Sequence, residues 1–472
     1  MRTTSSELLI ELDRSRLRGL RVQIEDQLRG AIRAGRLTNG TLLPSSRALA
    51  EDLAVTRGVV VAAYEQLVAE GYLGTVPGSG TVVSSGPPPT AVQHAPRVRP
   101  DPEAVVDFSA GLPDLALFPR RRWARATHVA LETTPDDRFG YGPAQGLPEL
   151  RAALVDYLGR VRGVSAAPEN VVICNGFSHA ITVIAAALGH LGHRDIAVED
   201  PHRGAGNQLA YSSLAVHGVP VDAEGLAVDA LGKTPARAVL VTPAHQAPTG
   251  SVLSSVRRSA LVAWARSVDG YVIEDDYDAE FRYDHHPVGA MQGVAPDRVV
   301  YCGTASKTLA PGIRLGWMVL PPALVEVVMD VRRGTDVLTT TVVQATFATF
   351  VESGDLDRHL RRVRRLYRQR RDALVSALAL HLPETTPTGI SAGLQTLLEL
   401  PAAWDEQVLA ASAAARGLRL RTLGDFRLGA NAGLPPALVL GYGQLSPTTI
   451  ERGVALLAAA ARDSFPRATV AG

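Results

Sequence analysis

The sequence predicts a multidomain α/β protein. A small helical head ending in a β-hairpin is followed by an extended linker, then by a large unit on a mainly parallel sheet covered by helices, with a smaller α+β lobe at its end. Three observations predict this. From Val105 onward, short runs apolar on both faces alternate with amphipathic helical stretches, the pattern of a sheet buried on both sides. Residues 86–104 are crowded with proline. Before them lie short helical patterns with cap signals and a glycine-rich hairpin. A chain of 472 residues, 46% hydrophobic and 20% charged, has room for two or three domains and a large core.

In the head, Leu43-Pro-Ser45-Ser46-Arg47 opens a helix that Ser45 or Ser46 can cap, with Leu49 and Leu53 on its apolar face. Thr56 can cap the next helix, where Val60, Tyr64 and Leu67 recur at i, i+4 and i+7 and face inward. Thr56, Arg57 and Gly58 are thereby left in an exposed first turn. A recognition helix meets base edges with its first turn, whose free amides also favour phosphate. Gly71 to Val83 reads as strand, glycine turn and strand, a wing able to lie along a nucleic-acid backbone. The formal net charge is only +1, so any affinity for DNA must come from a local patch.

Pro87, Pro88, Pro89, Pro96, Pro100 and Pro102 mark a semi-rigid linker. Beyond it, the strand candidates are 171–174, 195–198, 238–241, 271–274, 299–302 and 316–319, with helices such as 178–188 and 256–267 between several of them. Ligands in such sheets sit at the carboxyl ends of strands. The polar residues of interest follow Cys174, Val198, Val241, Ile273 and Cys302, at just those ends. From about Leu356 a long arginine-rich helix leads into the smaller lobe. Its Arg361, Arg362, Arg364 and Arg365 read as a solvated or interdomain face in preference to a DNA contact, although a DNA-bound dimer could use them.

The chemistry gathers around one lysine. Lys307 stands in a Ser/Thr-rich turn ahead of Arg314, about thirty residues after an acidic strand end that carries Asp275 and Tyr277. An acid, a phenol and an amine in this order are what a fold supplies to hold pyridoxal 5′-phosphate (PLP). Cys174 and Cys302 form neither a disulfide framework nor a metal-ligand spacing, and His179, His190, His193, His285 and His286 have no ligand pattern, so no metal is expected. Neither a leader-like apolar segment nor a run of transmembrane length occurs, and a cytoplasmic protein without membrane attachment is expected.

Residues 17–83 resemble the winged helix-turn-helix of the GntR family. Leu-Pro-Ser-Ser-Arg, Ala-Tyr-x-x-Leu, Glu-Gly-Tyr-Leu and Gly-Ser-Gly-Thr occur in order at the family spacing. Residues 105–460 resemble fold-type I aminotransferases, through Phe108 to Pro119, Tyr141 to Arg151, Asp275 to Tyr283 and the lysine segment. Together they match the MocR subgroup of GntR-type regulators. The resemblance implies a DNA-binding domain over 1–85, a linker over 86–104 and an aminotransferase-like effector domain over 105–472, its smaller lobe starting near 356. In the head it implies DNA contacts from Ser45, Ser46, Arg47, Thr56, Arg57 and Gly58, with Gly78, Gly80 and Thr81 at the wing tip. In the effector domain it implies Lys307 as the Schiff-base lysine and Thr304, Arg314 and the Gly176-Phe177-Ser178 helix start on the phosphate. Asp275 would meet the pyridine nitrogen and Tyr277 the ring oxygen. Tyr141 would reach the phosphate of a neighbouring subunit, which implies a homodimer, paired head to tail.

Several positions depart from the wider pattern. Val59 replaces a threonine usual in such heads. His202 or Arg203 must serve where relatives stack an aromatic ring on the cofactor, and Asn207 replaces an arginine common in the subgroup. His245-Gln-Ala-Pro-Thr-Gly250 lacks the ring-oxygen asparagine of aminotransferases, and Leu438 to Tyr442 lacks their carboxylate arginine, for which Arg421 and Arg427 are possible substitutes. The function implied is a regulator that binds double-stranded operator DNA under control of PLP or of an amino acid or amine, with weak or absent transaminase turnover. The alternative is an aminotransferase carrying an accessory head.

Overall fold

The computed structural model describes residues 8, 10–15, 19–76, 80–84, 106–204, 208–283, 288–336, 338–429 and 434–465. The chain divides into two compact units, Met1–Pro100 and Asp101–Gly472. The proline-rich stretch, Gly78, Asn207, His285 and His286 lie outside the described residues.

In the first unit, helices α1 (Leu20–Arg33), α2 (Ser46–Asp52) and α3 (Arg57–Ala69) pack around Ile24, Leu28, Leu49, Val60, Tyr64 and Leu67. Ser45 Oγ accepts the Ala48 amide (3.2 Å) and so caps α2, satisfying one of the donors a helix start leaves open. Thr56 occupies the N-cap of α3, but its hydroxyl makes no capping bond, contrary to the sequence expectation. Strands β1 (Leu73–Val76) and β2 (Gly80–Val83) pair antiparallel as the wing, and Leu42 adds a bridge to Val82. Ser45, Arg47, Thr56, Arg57, Gly58 and Gly80 are exposed, whereas Ser46 and Thr81 are half-buried.

The second unit carries strands β3 (Val106–Asp107), β4 (Val171–Cys174), β5 (Asp195–Asp200), β6 (Ala215–Asp222), β7 (Gly225–Leu226), β8 (Ala238–Val241), β9 (Tyr271–Asp276), β10 (Val299–Thr304) and β11 (Gly316–Val319). Eight of them form one sheet in the order β4-β11-β10-β9-β8-β5-β6-β7, parallel from β10 through β6 and antiparallel at both ends. Strand β10 illustrates the two-sided burial read in the sequence. Tyr301 faces a layer with Leu154 and Phe347, while Val300 and Cys302 face Ile184 and Val328 on the other side. Strands β5, β9 and β10 each run two residues beyond the apolar core of their pattern, so Asp275 and Thr304 are strand residues. Strand β6 was not anticipated: in its second half Gly218, Pro220 and Asp222 are exposed in alternation with buried Val219 and Val221, and no continuous apolar run marks it.

The lobe begins with a long helix, Asp355–His381, and continues into a four-stranded antiparallel sheet over Thr386–Thr388, Gln395–Glu399, Ala437–Gly441 and Arg421–Thr422. Among the described residues no helix is long and apolar enough to cross a membrane, and no cluster of side chains suits a metal ion.

Candidate cofactor site

The link between β10 and β11 holds Lys307 and Arg314, and the antiparallel turn back fixes both at the carboxyl edge of the parallel strands. A cavity of about 270 Å³ opens there. Its walls bring together Phe177, Ser178, His202, Arg203, Asp275, Tyr277, Thr304, Lys307 and Arg314 from four separate segments. Cys174, at the end of β4, and Cys302, within β10, are buried thiols, both pushed upward by desolvation, and behave as small core residues.

Asp275 and Asp276 show how the strand pleat sorts two adjacent carboxylates. Asp276 is held by Arg162 Nε (2.7 Å) and by the Tyr301 hydroxyl (2.7 Å). Asp275 lines the cavity, and its Oδ1 is buried with no hydrogen-bond partner among the described residues. Burial first, then the charge of Asp276, holds its carboxyl well above the usual range, with Lys307 pulling the other way.

Lys307 Nζ donates to the Gly111 carbonyl (2.8 Å). Burial and then the Arg203 charge bring the amine down to about 8, against the opposing pull of Asp278 and Asp275. Gly111, at φ 63°, is required here: a β-carbon would fall on the Arg203 guanidinium. His202, on the same wall, is buried and lowered to about 4 by desolvation, hence neutral near pH 7.

The other end of the cavity is built for an anion. Gly176, at φ 87°, begins helix Phe177–His190, whose first amides lack intrahelical acceptors. A β-carbon on Gly176 would sit 3.5 Å from Arg314 Nη1, so the guanidinium lies against this helix start. Arg314 itself is left-handed at φ 53°, a conformation that costs a non-glycine residue about 1–2 kcal/mol. The Thr304 hydroxyl accepts the Ser306 amide (3.2 Å) and lies 3.0 Å from Ser306 Oγ, which adds a second hydroxyl to this end.

Tyr277 projects from the end of β9, its hydroxyl 3.1 Å from His245 Nδ1, and the two rings stack with centroids 6.1 Å apart. His245 Nδ1 is also 3.0 Å from the Asp278 carboxylate. A carboxylate only accepts, so Nδ1 carries the hydrogen toward Asp278, and the tyrosine hydroxyl keeps its own proton for a partner in the cavity. His245 therefore stands behind Tyr277 rather than on the cavity wall.

Tyr141 lies away from these walls with its side chain 95% exposed. Strand Ala437–Gly441 brings no cation to the site: Val439 packs with Ala110, Leu397 and Leu423, and the Tyr442 hydroxyl donates to the Ala392 and Gly393 carbonyls. Arg421 pairs in register opposite Val439, exposed and 4.0 Å from Asp425. Arg427 gives Nη2 to the Leu434 carbonyl. The Gly111 carbonyl, Asp278 and Ser306 went unread as site groups in the sequence, although each lies inside a motif segment that could have flagged it.

A winged head joined to a fold-type I aminotransferase unit, with an amine, an acid and an anion cradle at the strand ends, defines a regulator built around a PLP-enzyme scaffold. The comparisons agree. Residues 20–83 match bacterial regulatory proteins of the gntR family, and residues 103–439 match aminotransferase class I and II. The chain is 32% identical to the probable rhizopine catabolism regulatory protein MocR of Rhizobium meliloti, over 94% of each chain. It is also 32% identical to the HTH-type pyridoxine biosynthesis transcriptional regulator PdxR of Corynebacterium glutamicum, over 94% of this chain and 96% of that one. The crystal structure of Pyrococcus horikoshii kynurenine aminotransferase in complex with PMP matches with a TM-score of 0.70 at 26% identity, covering 77% of this chain and 92% of that one. The chain belongs to the MocR subgroup of GntR-family transcriptional regulators.

Proposed function

We propose that this is a cytoplasmic, dimeric regulator that holds PLP on Lys307 as a Schiff base and binds operator DNA under control of PLP itself or of an amino compound. The observation that carries the reading is the buried Asp275 carboxyl, one oxygen of which lacks a hydrogen-bond partner among the described residues, lining the same cavity as a lysine lowered to about 8. A protonated ring nitrogen suits that oxygen, and the Gly176–Arg314 cradle with Thr304, Phe177 and Ser178 suits a phosphate. When bound, PLP supplies an aldehyde with which a primary amine can condense. Lys307 supplies that amine, Tyr277 offers its free hydroxyl proton to the ring oxygen, and His245 with Asp278 fixes the tyrosine. His202 and Arg203 line the same cavity, Arg203 with a planar guanidinium able to lie on a ring. In the head, Ser45, Ser46, Arg47, Thr56, Arg57, Gly58, Gly80 and Thr81 form the proposed DNA face.

Tyr141, Phe139, Leu131 and Leu115 each expose large apolar surface, which supports a second copy of the chain as partner, with Tyr141 serving the partner's phosphate site. The absence of an arginine from Leu438 to Tyr442, where transaminases place the carboxylate arginine, favours sensing over turnover and favours PLP as effector. Under the alternative, an aminotransferase with an accessory head, the chain would sustain amino transfer to a keto acid.

The proposal is tested by binding the purified dimer to DNA upstream of its own gene, with and without PLP, at one fixed salt concentration. A PLP-dependent change in affinity or footprint is expected. Specific binding that neither PLP nor any amine added to the PLP-loaded protein alters would overturn the sensing role.

Loading should follow the lysine. Below about pH 8 Nζ is protonated and has no lone pair, so the rate of PLP capture is expected to rise about tenfold per pH unit and then level off. Stopped-flow absorbance gives the profile. A rate still climbing steeply between pH 9 and 10 would mean an ordinary exposed lysine and would contradict the buried amine.

A further inference from the structure

A groove of about 590 Å³ lies between the end of helix Pro148–Arg162, the segment 279–283 and the first half of helix Asp355–His381. It shares no lining residue with the cofactor cavity. Its lining is dominated by guanidinium groups, of which some are engaged: Arg160 pairs with Asp357 (2.8 Å), Arg162 with Asp276 (2.7 Å), and Arg364 gives Nε to the Glu280 carbonyl (2.8 Å). Arg361, Arg365 and Arg368 are different. They fall at i, i+4 and i+7 on one helix face, all three exposed, with no carboxylate within 4 Å among the described residues. Of the two acids on the wall, Asp357 is paired with Arg160 and burial pushes the Glu280 carboxyl upward, so neither does much to offset them. Like charges at this spacing weaken a helix by about 0.2–0.5 kcal/mol per pair, and the stripe extends about 10 Å along the axis.

We infer that this arginine stripe is a second contact for duplex DNA, gripping phosphodiester oxygens without reading sequence. Guanidinium forks match phosphate oxygens, and phosphate contacts position a protein on DNA while carrying no base information. DNA is the polyanion the gntR-type head brings to this chain. Residues 85–105 tether the units, and no conformation stretches that tether beyond about 75 Å, so head-bound DNA is present at high local concentration. With a net charge of only +1, the protein as a whole supplies no general attraction.

The test uses the full-length chain and compares the triple variant Arg361→Gln/Arg365→Gln/Arg368→Gln with wild type. Arg362→Gln is the control, an exposed arginine on the same helix that does not line the groove. Binding to the upstream fragment is titrated across salt concentrations, with PLP absorbance and thermal unfolding confirming an intact effector unit. Each phosphate contact contributes roughly 0.9 to the slope of log affinity against log salt. The triple variant should therefore lose about 2.7 from the slope, Arg365→Gln alone about 0.9, and Arg362→Gln nothing. A triple variant with the wild-type slope overturns the groove as a DNA contact. If that variant and wild type still respond to PLP, the sensing reading survives. A wild-type chain that binds no duplex overturns both.

Discussion

Replacing Lys307 by alanine is expected to abolish covalent capture of PLP completely, and with it any response of DNA binding to PLP or amines, while basal DNA affinity persists. The sequence makes this test unusually clean, because it holds two lysines, Lys233 and Lys307. Lys233 is exposed on a short helical turn and does not line the cavity, so no neighbouring lysine can substitute. Borohydride reduction of the PLP-loaded wild type should mark one peptide, the one containing residue 307, and mark none in the variant. Lys307→Arg should behave like the alanine variant despite keeping the charge. Apo stability supplies a control of opposite sign. The folded amine lies near 8, below its unfolded value, so its stabilising contribution is present above the unfolded value and is lost as pH falls through 8. At neutral pH wild type therefore carries a buried ammonium that Lys307→Ala lacks. The apo variant should unfold at the same or a higher temperature, with the difference shrinking in alkali. A variant that simply unfolds would indicate a structural lysine. Retained PLP absorbance together with retained regulation would leave the effector unit as a scaffold only.

Much of this was legible in the sequence because it lies in local patterns. Strands buried on both faces announce themselves as short apolar runs, and the change to polar residues at their ends points to Asp275, Thr304 and Lys307, which line one cavity in the structure. Strand β6 escaped because its exposed alternate positions resemble loop. The contacts that escaped are those between distant segments. Gly111, the acceptor for Lys307, lies 196 residues before it, and nothing in the spacing predicts their meeting. Arg421 could be placed only through its register opposite Val439. Thr56 shows the limit of a cap signal, since the right residue at the N-cap need not make the bond. The basic helix face read as solvated or interdomain in the sequence divides in the structure: Arg361, Arg364 and Arg365 line a groove, joined by Arg368, and Arg362 does not.

Asp275→Asn is the variant that separates a cofactor role from a structural one, because the two roles predict opposite signs. If the carboxylate answers a protonated ring nitrogen, its replacement forfeits a charge-assisted hydrogen bond, about 1.5–3 kcal/mol. Equilibrium titration should then show PLP affinity falling by roughly 10- to 150-fold. The apo protein should show no such loss. Its Asp275 is a buried carboxyl with a partnerless oxygen, raised by desolvation and by Asp276. A raised acid contributes stability that is full below its unfolded value and is lost as pH rises toward the folded one. Near neutral pH it is a liability that asparagine removes, so apo Asp275→Asn should melt at or above the wild-type temperature, with a flatter decline as pH rises. Asp276 provides the contrast on the same strand. It is already held by Arg162 and Tyr301, and Asp276→Asn would leave a buried guanidinium without its counter-charge. That substitution should lower apo stability markedly, with PLP affinity affected only through the fold. Were Asp275→Asn to destabilise the apo chain as Asp276→Asn does, while leaving PLP affinity intact, the acid would belong to the core and the cavity would need another partner for its ligand.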